Sequence, residues 1–499
     1  MYMSRLTKQA ISSWDYPVVS TTCGKVRGVA KEAGFIFRSV PYATSKRFMP
    51  PEPIQYENDL LLADHYTCVC HELLTPIPED QHLCPHFYIP QDEDCLNLNI
   101  WTPTLKQDAN RPVLVWLGHG DWSRGGANEL FATDGENLSQ FADIVVVAVN
   151  HRVNCLGGLD LSGYGAKYAD SGRLCLLDMA AALRWVKDNI ASFGGDPSCV
   201  TLYGHGAGAQ KIFALMQMPE LDGLYHRVFA GAAVPEATNT PQDADLMACL
   251  VMKHCNVSAP EKLEDMPYWF LAEGVLDAME EFRKVTGKDY TWAPVADGKR
   301  FIGLAPGISL RPKTIGIPML LGSSFGQNAS NAYGAADRPM DDTQTITAFS
   351  CAYPDKVLRD LSFIDRSLRA RILDFAVQQE QTKRKVWLYL FDLNVEIKEE
   401  LTAWNGAELP FFFCNAEYIE AAFLPEITPQ LQKKMVSALC AFMWTGSPAQ
   451  EQFPVWAPAG KAGIPTMIFG AECRCCTGHD RDLQRLFGRN KEQKGESKR

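Results

Sequence analysis

The sequence predicts an α/β fold: a large, mostly parallel twisted sheet with helices on both faces. Three observations carry this. Pro112–Leu117 (PVLVWL) and Ile144–Asn150 (IVVVAVN) are near-continuous apolar runs, the pattern of central strands buried on both faces. Leu174–Phe193 places Leu176, Ala180, Leu183, Val186 and Ile190 on one stripe, as in a helix that covers a sheet. Asp196–Pro219 then reads as strand, very tight turn and helix: Val200–Tyr203, Gly204–Gly208, and Gln210–Met218 ending at Pro219. Strands alternating with helices imply a parallel sheet. In such sheets ligands meet the carboxyl ends of the strands.

The remaining elements fit this plan in chain order. Thr21–Ala30 (TTCGKVRGVA) and Phe35–Val40 (FIFRSV) alternate like a hairpin of strands. Arg47–Pro51 (RFMPP) is extended, and Thr67–Asp94 is a long loop rich in Pro, Asp and Cys, of the kind that covers a site. Cys95–Thr102 alternates as a strand, and Arg227–Ala233, Ile317–Gly322 and Val386–Phe391 are further strands. Asp243–Thr286 is mainly helical and Pro429–Trp444 is a long helix; the sequence beyond about Gly470 gives no clear element. The expected organisation is a lead-in over 1–19, one large domain over 20–486 and a charged, disordered tail over 487–499.

Composition narrows the partners. The 499 residues are 46% hydrophobic and 21% charged, an ordinary globular balance with ample material for a core. A formal net charge of −11 disfavours nucleic acid and anionic membrane as partners. No stretch approaches the ~18 apolar residues of a membrane span, and the first residues lack the apolar run of a signal peptide, so a cytoplasmic location is expected. The 16 cysteines are scattered, and reduced thiols follow from that location. Cys473, Cys475, Cys476 and His479 match no familiar zinc spacing, so neither a metal nor any other cofactor is expected.

Several motifs together resemble the type-B carboxylesterase family, which includes cholinesterases and bacterial para-nitrobenzyl esterases. FRSVPYA, RFMPP, EDCLNLNIWTP and VVAVNHRVNCLGGL occur in the family's order, followed by LLDMAAALRWVKDNIASFGGDPSCVTLYG, GLYHRV, TWAPVADG and FMWTGSP. The likeness spans about residues 20–470. It implies the α/β-hydrolase fold, with strand, Gly-x-Ser-x-Gly and helix forming a nucleophile elbow. It also implies a carboxylic-ester hydrolase: an activated serine, a histidine base, an acid that orients it, and backbone donors for the oxyanion.

The chain departs from the family at each of those parts. The serine position is Gly206, which has no nucleophile. The acid, expected just after the strand ending in Gly322, is Gln327, which carries no charge. The histidine, expected ahead of a Leu-Pro-Phe segment, is Asn405, which is no base near neutral pH. The oxyanion-hole positions implied by the resemblance are Gly120, Asp121 and Ala207. Asp121 replaces a glycine and brings a carboxylate to a site built for a negative oxygen.

The expected function is therefore a catalytically degenerate member, a pseudoenzyme that binds a small hydrophobic ester-like ligand or a protein partner. The alternative is an active ester hydrolase, or a lyase or cyclase, whose catalytic groups have moved within the inherited pocket. His119 and His205 are its candidate pocket groups, with Asp121, Ser123 and Cys155 within possible reach. Fold alone does not decide between them.

Overall fold

The structure, a computed structural model, describes residues 16–56, 60–73, 83–118, 121–304, 310–327, 342–364, 366–397, 400–461 and 463–487. Its centre is an eleven-stranded mixed sheet. In chain order the first strands are β1 (Val18–Thr21), β2 (Gly24–Arg27), β3 (Val29–Lys31), β4 (Gly34–Pro41), β5 (Leu60–Leu62) and β6 (Asn97–Thr102). β7 (Arg111–Trp116), β8 (Val145–Val149), β9 (Gly195–His205), β10 (Arg227–Gly231), β11 (Met319–Ser324) and β12 (Val386–Phe391) follow. A small ribbon of β13 (Val395–Ile397) and β14 (Glu400–Thr402) precedes β15 (Pro465–Phe469) and β16 (Arg474–Thr477).

The large sheet runs β16-β15-β12-β11-β10-β9-β7-β8-β6-β4-β3. From β8 to β15 every neighbouring pair is parallel. The outer pairs are antiparallel. β6, β8, β11 and β12 are buried at every position, because helices cover both faces. That is why β8 (VVVAV) and β12 (VWLYLF) are continuous apolar runs. The helix Leu174–Asn189 lies on one face and ends in a 3-10 turn, Ile190–Phe193. Its Asp178 pairs with Arg152, whose Nε and Nη2 donate to the carboxylate at 2.8 and 2.6 Å in a buried bidentate bridge. Arg152 Nη1 also donates to the Met49 carbonyl at 2.8 Å, which pins the RFMPP segment to the sheet.

Several expectations shift. Thr21–Ala30 is not one strand: it turns at Thr22-Cys23 into the β1–β2 hairpin, and β3 starts beyond Gly28. β1–β2–β5 forms a separate three-stranded sheet, and β1 begins at Val18. The helix expected from Gln210 begins at Ala207, directly on the turn, because the Gly206 carbonyl already accepts from the Ala209 and Gln210 amides, each at 3.1 Å. Beyond Gly470, where no element was expected, β16 pairs antiparallel with β15 and carries Cys475 and Cys476. Residues 1–15 of the lead-in expected over 1–19 and residues 488–499 of the tail expected over 487–499 lie outside the described residues.

Candidate functional site

β9 is the middle strand of the eleven and delivers the elbow at its carboxyl end. Gly206 there has φ 55° and ψ −121°, a backbone conformation that L side chains rarely adopt. The turn is thus the strained elbow geometry, occupied by the residue that tolerates it best. Its amide donates to the Gly231 carbonyl at 2.9 Å, which ties it to β10. The neighbouring loop packs directly on the turn: the His205 amide donates to the Gly118 carbonyl at 3.3 Å. Ala207 opens the following helix and is partly exposed.

The other two residues expected at triad positions meet. Gln327 lies three residues past β11, and Asn405 lies in the turn before the short helix Leu409–Phe412. Gln327 Nε2 donates to Asn405 Oδ1. The backbone brings the segments together as well: the Gly326 amide donates to the Ala403 carbonyl at 2.6 Å, and Gly326 bridges Trp404 in parallel. Gln327 Oε1 is buried and has no hydrogen-bond partner among the described residues. Asn405 is exposed.

The groups considered for relocated chemistry fare unevenly. His119 and Gly120 lie outside the described residues. The Asp121 carboxylate is 55% exposed, accepts from the Ser123 amide at 2.5 Å and stands 3.8 Å from Arg124. Its charge therefore faces solvent and its own turn. Cys155 is buried, its thiol directed to Asn154 Oδ1 at 3.4 Å, and burial pushes its pKa far up. A thiol so placed is no nucleophile.

His205 was expected on the pocket wall. It is instead 4% exposed, with Nε2 3.2 Å from Glu408 Oε1. Glu408 Oε2 accepts from Ser324 Oγ at 2.7 Å, and the Tyr389 hydroxyl approaches Oε1 at 3.4 Å. Burial works against the Glu408 carboxylate, yet His205 beside it and the Ser324 hydroxyl hold its carboxyl below the usual range. The imidazole packs inward because β10 leaves it room: a Cβ on Gly231 would lie 2.8 Å from its Cδ2.

Sequence reading also missed Lys211. It is 2% exposed, its Nζ donates to the Asp121 carbonyl at 3.2 Å and lies 5.8 Å from the centre of the Trp122 ring. Burial pulls its amine down to about 8. Beside it, Trp122 Nε1 donates to Gln210 Oε1 at 3.3 Å, and Gln210 Nε2 donates to Glu236 at 2.6 Å. The signals were present: Glu408 and Lys211 are single charges within otherwise uncharged, mostly apolar runs, AELPFFF and AQKIFAL.

Among the described residues no group of three or more His, Cys, Asp or Glu is arranged to hold a metal, and no helix is long and apolar enough to cross a membrane.

Comparison with known proteins agrees with this architecture. The carboxylesterase family model matches residues 15–359. The para-nitrobenzyl esterase of Bacillus subtilis (strain 168) is 29% identical over 92% of this chain and 95% of its own length. A phenmedipham hydrolase of Pseudarthrobacter oxydans is 27% identical over 91% and 94%. Among solved structures, an esterase from Clostridium hathewayi that can hydrolyse aliphatic aromatic polyesters is 34% identical, covers 95% of this chain and 98% of its own, and superposes with a TM-score of 0.88. With the strand order, the elbow and the motifs in agreement, the chain belongs to the carboxylesterase family and has the α/β-hydrolase fold.

Proposed function

We propose that this chain is a carboxylesterase-family protein without serine-esterase activity, whose pocket binds a small hydrophobic ester-like ligand or a protein partner. The observation that carries the reading is the Gln327–Asn405 amide pair beside an elbow that ends in Gly206. One neutral amide donates to another where proton transfer would require a base and its orienting acid. Gly206 leaves no atom to attack a carbonyl. Loss of an essential member of such a unit costs about six orders of magnitude in turnover, and further losses add little. The close packing of the elbow on its neighbouring strand and loop supports a retained binding role.

The competing reading is an ester hydrolase, lyase or cyclase with relocated groups, and it would draw on His119, Asp121 and His205. The engagement of His205 with Glu408 and the outward carboxylate of Asp121 weigh against it. The test is hydrolysis of a short-chain p-nitrophenyl ester, with fluorophosphonate labelling alongside. The unmodified protein should show neither turnover nor label. Gly206→Ser alone should stay near the blank, whereas Gly206→Ser/Gln327→Glu/Asn405→His should recover both. Turnover by the unmodified protein that is abolished by His119→Ala or His205→Ala would overturn the proposal.

A further inference from the structure

We infer that His205, Glu408 and Ser324 form a buried positioning cluster that holds the three triad-equivalent segments in register. Each member sits on a different one of those segments. His205 immediately precedes Gly206, Ser324 lies three residues before Gln327, and Glu408 lies three residues after Asn405. Behind the three emptied positions the chain has therefore assembled a second polar set, joined at 3.2 and 2.7 Å through one carboxylate.

Glu408 is 0% exposed, so its charge has no access to water. A buried carboxylate is tolerated only when its oxygens are met by donors, and removing one partner strands the charge. Here the donors come from the ends of β9 and β11, so both strands must converge on the 405–408 turn. The fit is close, since a Cβ on Gly231 would meet His205 Cδ2 at 2.8 Å and the Tyr389 hydroxyl at 3.1 Å. Gln327 and Asn405 then touch as a consequence of where their segments are held. The meaning for ligand binding rests on the reading given above; the positioning role stands on these contacts alone.

The experiment compares crystal structures and kinetics of His205→Ala, His205→Gln and Ser324→Ala. The alanine variants should lose the Gln327–Asn405 contact, while His205→Gln, which still offers a donor to Glu408, should keep it. In the Gly206→Ser/Gln327→Glu/Asn405→His protein, adding His205→Ala should lower kcat roughly 100-fold with KM changed less than about threefold, the mark of misplaced groups rather than lost binding. Adding His205→Gln should restore most of that loss. A folded His205→Ala protein that keeps both the contact and the recovered kcat would overturn the inference. If His205→Ala does not fold, Ser324→Ala, which removes a neutral donor only, gives the same readouts. An inactive triple variant would count against the assignment of positions 206, 327 and 405 to the triad, whereas the contact between residues 327 and 405 would still decide the cluster.

Discussion

Gly208 lies so close against Gly118 that a Cβ on Gly208 would stand 1.9 Å from the Gly118 carbonyl oxygen. A Cβ on Gly204 would likewise stand 2.4 Å from the Gly208 carbonyl carbon. The two glycines flanking the elbow are thus required by backbone contact, whatever occupies position 206. Gly208→Ala must displace the loop after β7 or the start of the following helix. It should cost about 3 kcal/mol or more, the upper end of overpacking. Urea unfolding measures this directly; an unchanged midpoint and slope would show that the loop yields freely.

Gly206 is strained only for residues with a side chain. At φ 55° and ψ −121°, glycine adopts the turn without the Cβ clash that serine would meet. Gly206→Ser should therefore destabilise the fold by about 1–3 kcal/mol while adding no turnover. Gly206→Ala should lose a similar amount, since the penalty belongs to the Cβ and not to the hydroxyl. A drop for serine alone would point to an unsatisfied hydroxyl instead of backbone strain.

The Arg152–Asp178 bridge is buried on both sides, with side chains 3% and 0% exposed. Asp178→Asn removes the charge but keeps the shape, which leaves the guanidinium without a counter-charge. The expected loss is about 3–5 kcal/mol. Because Arg152 also holds the Met49 carbonyl, proteolysis near Arg47–Pro51 should accelerate in this variant. Loss of stability without any change at that segment would separate the two roles.

Much of this architecture was legible in the sequence because its strands are buried on both faces. A run such as IVVVAV has only one comfortable place in an α/β fold. Gly206, Gln327 and Asn405 were proposed from local motifs alone, each at a fixed offset from a strand or a Leu-Pro-Phe segment. What could not be read were side-chain directions. His205 stands next to the elbow in sequence, yet a glycine on the neighbouring strand, Gly231, opens space beneath it and Glu408 draws it inward. Asp121 looked like an intruder in the oxyanion loop, but its carboxylate bonds its own turn. Both outcomes depend on contacts between residues distant in the chain. β16 escaped notice because a four-residue edge strand, RCCT, with no fully buried position carries little apolar signal.

Lys211 gives the fold a pH dependence whose sign follows from its burial. Burial depresses its amine from 10.5 to about 8 in the folded state, while the unfolded chain keeps the ordinary value. Between pH 8 and about 10.5 the unfolded state then binds more protons than the folded one, so stability rises with pH across that window. Below pH 8 both states are protonated and the full penalty of the buried charge applies. The total effect is about 3 kcal/mol. Lys211→Met removes the charge and retains an unbranched side chain in the same space. It also removes the donor to the Asp121 carbonyl, a smaller loss of about 1 kcal/mol. The variant should therefore equal or exceed the wild type in stability at pH 7, and the difference should shrink as pH approaches 10. Urea unfolding of both proteins at pH 7, 8, 9 and 10 isolates the lysine, since every other titrating group is common to the pair. A difference that stays constant from pH 7 to 10 would mean that Lys211 keeps an ordinary pKa and finds solvent or a counter-charge in solution.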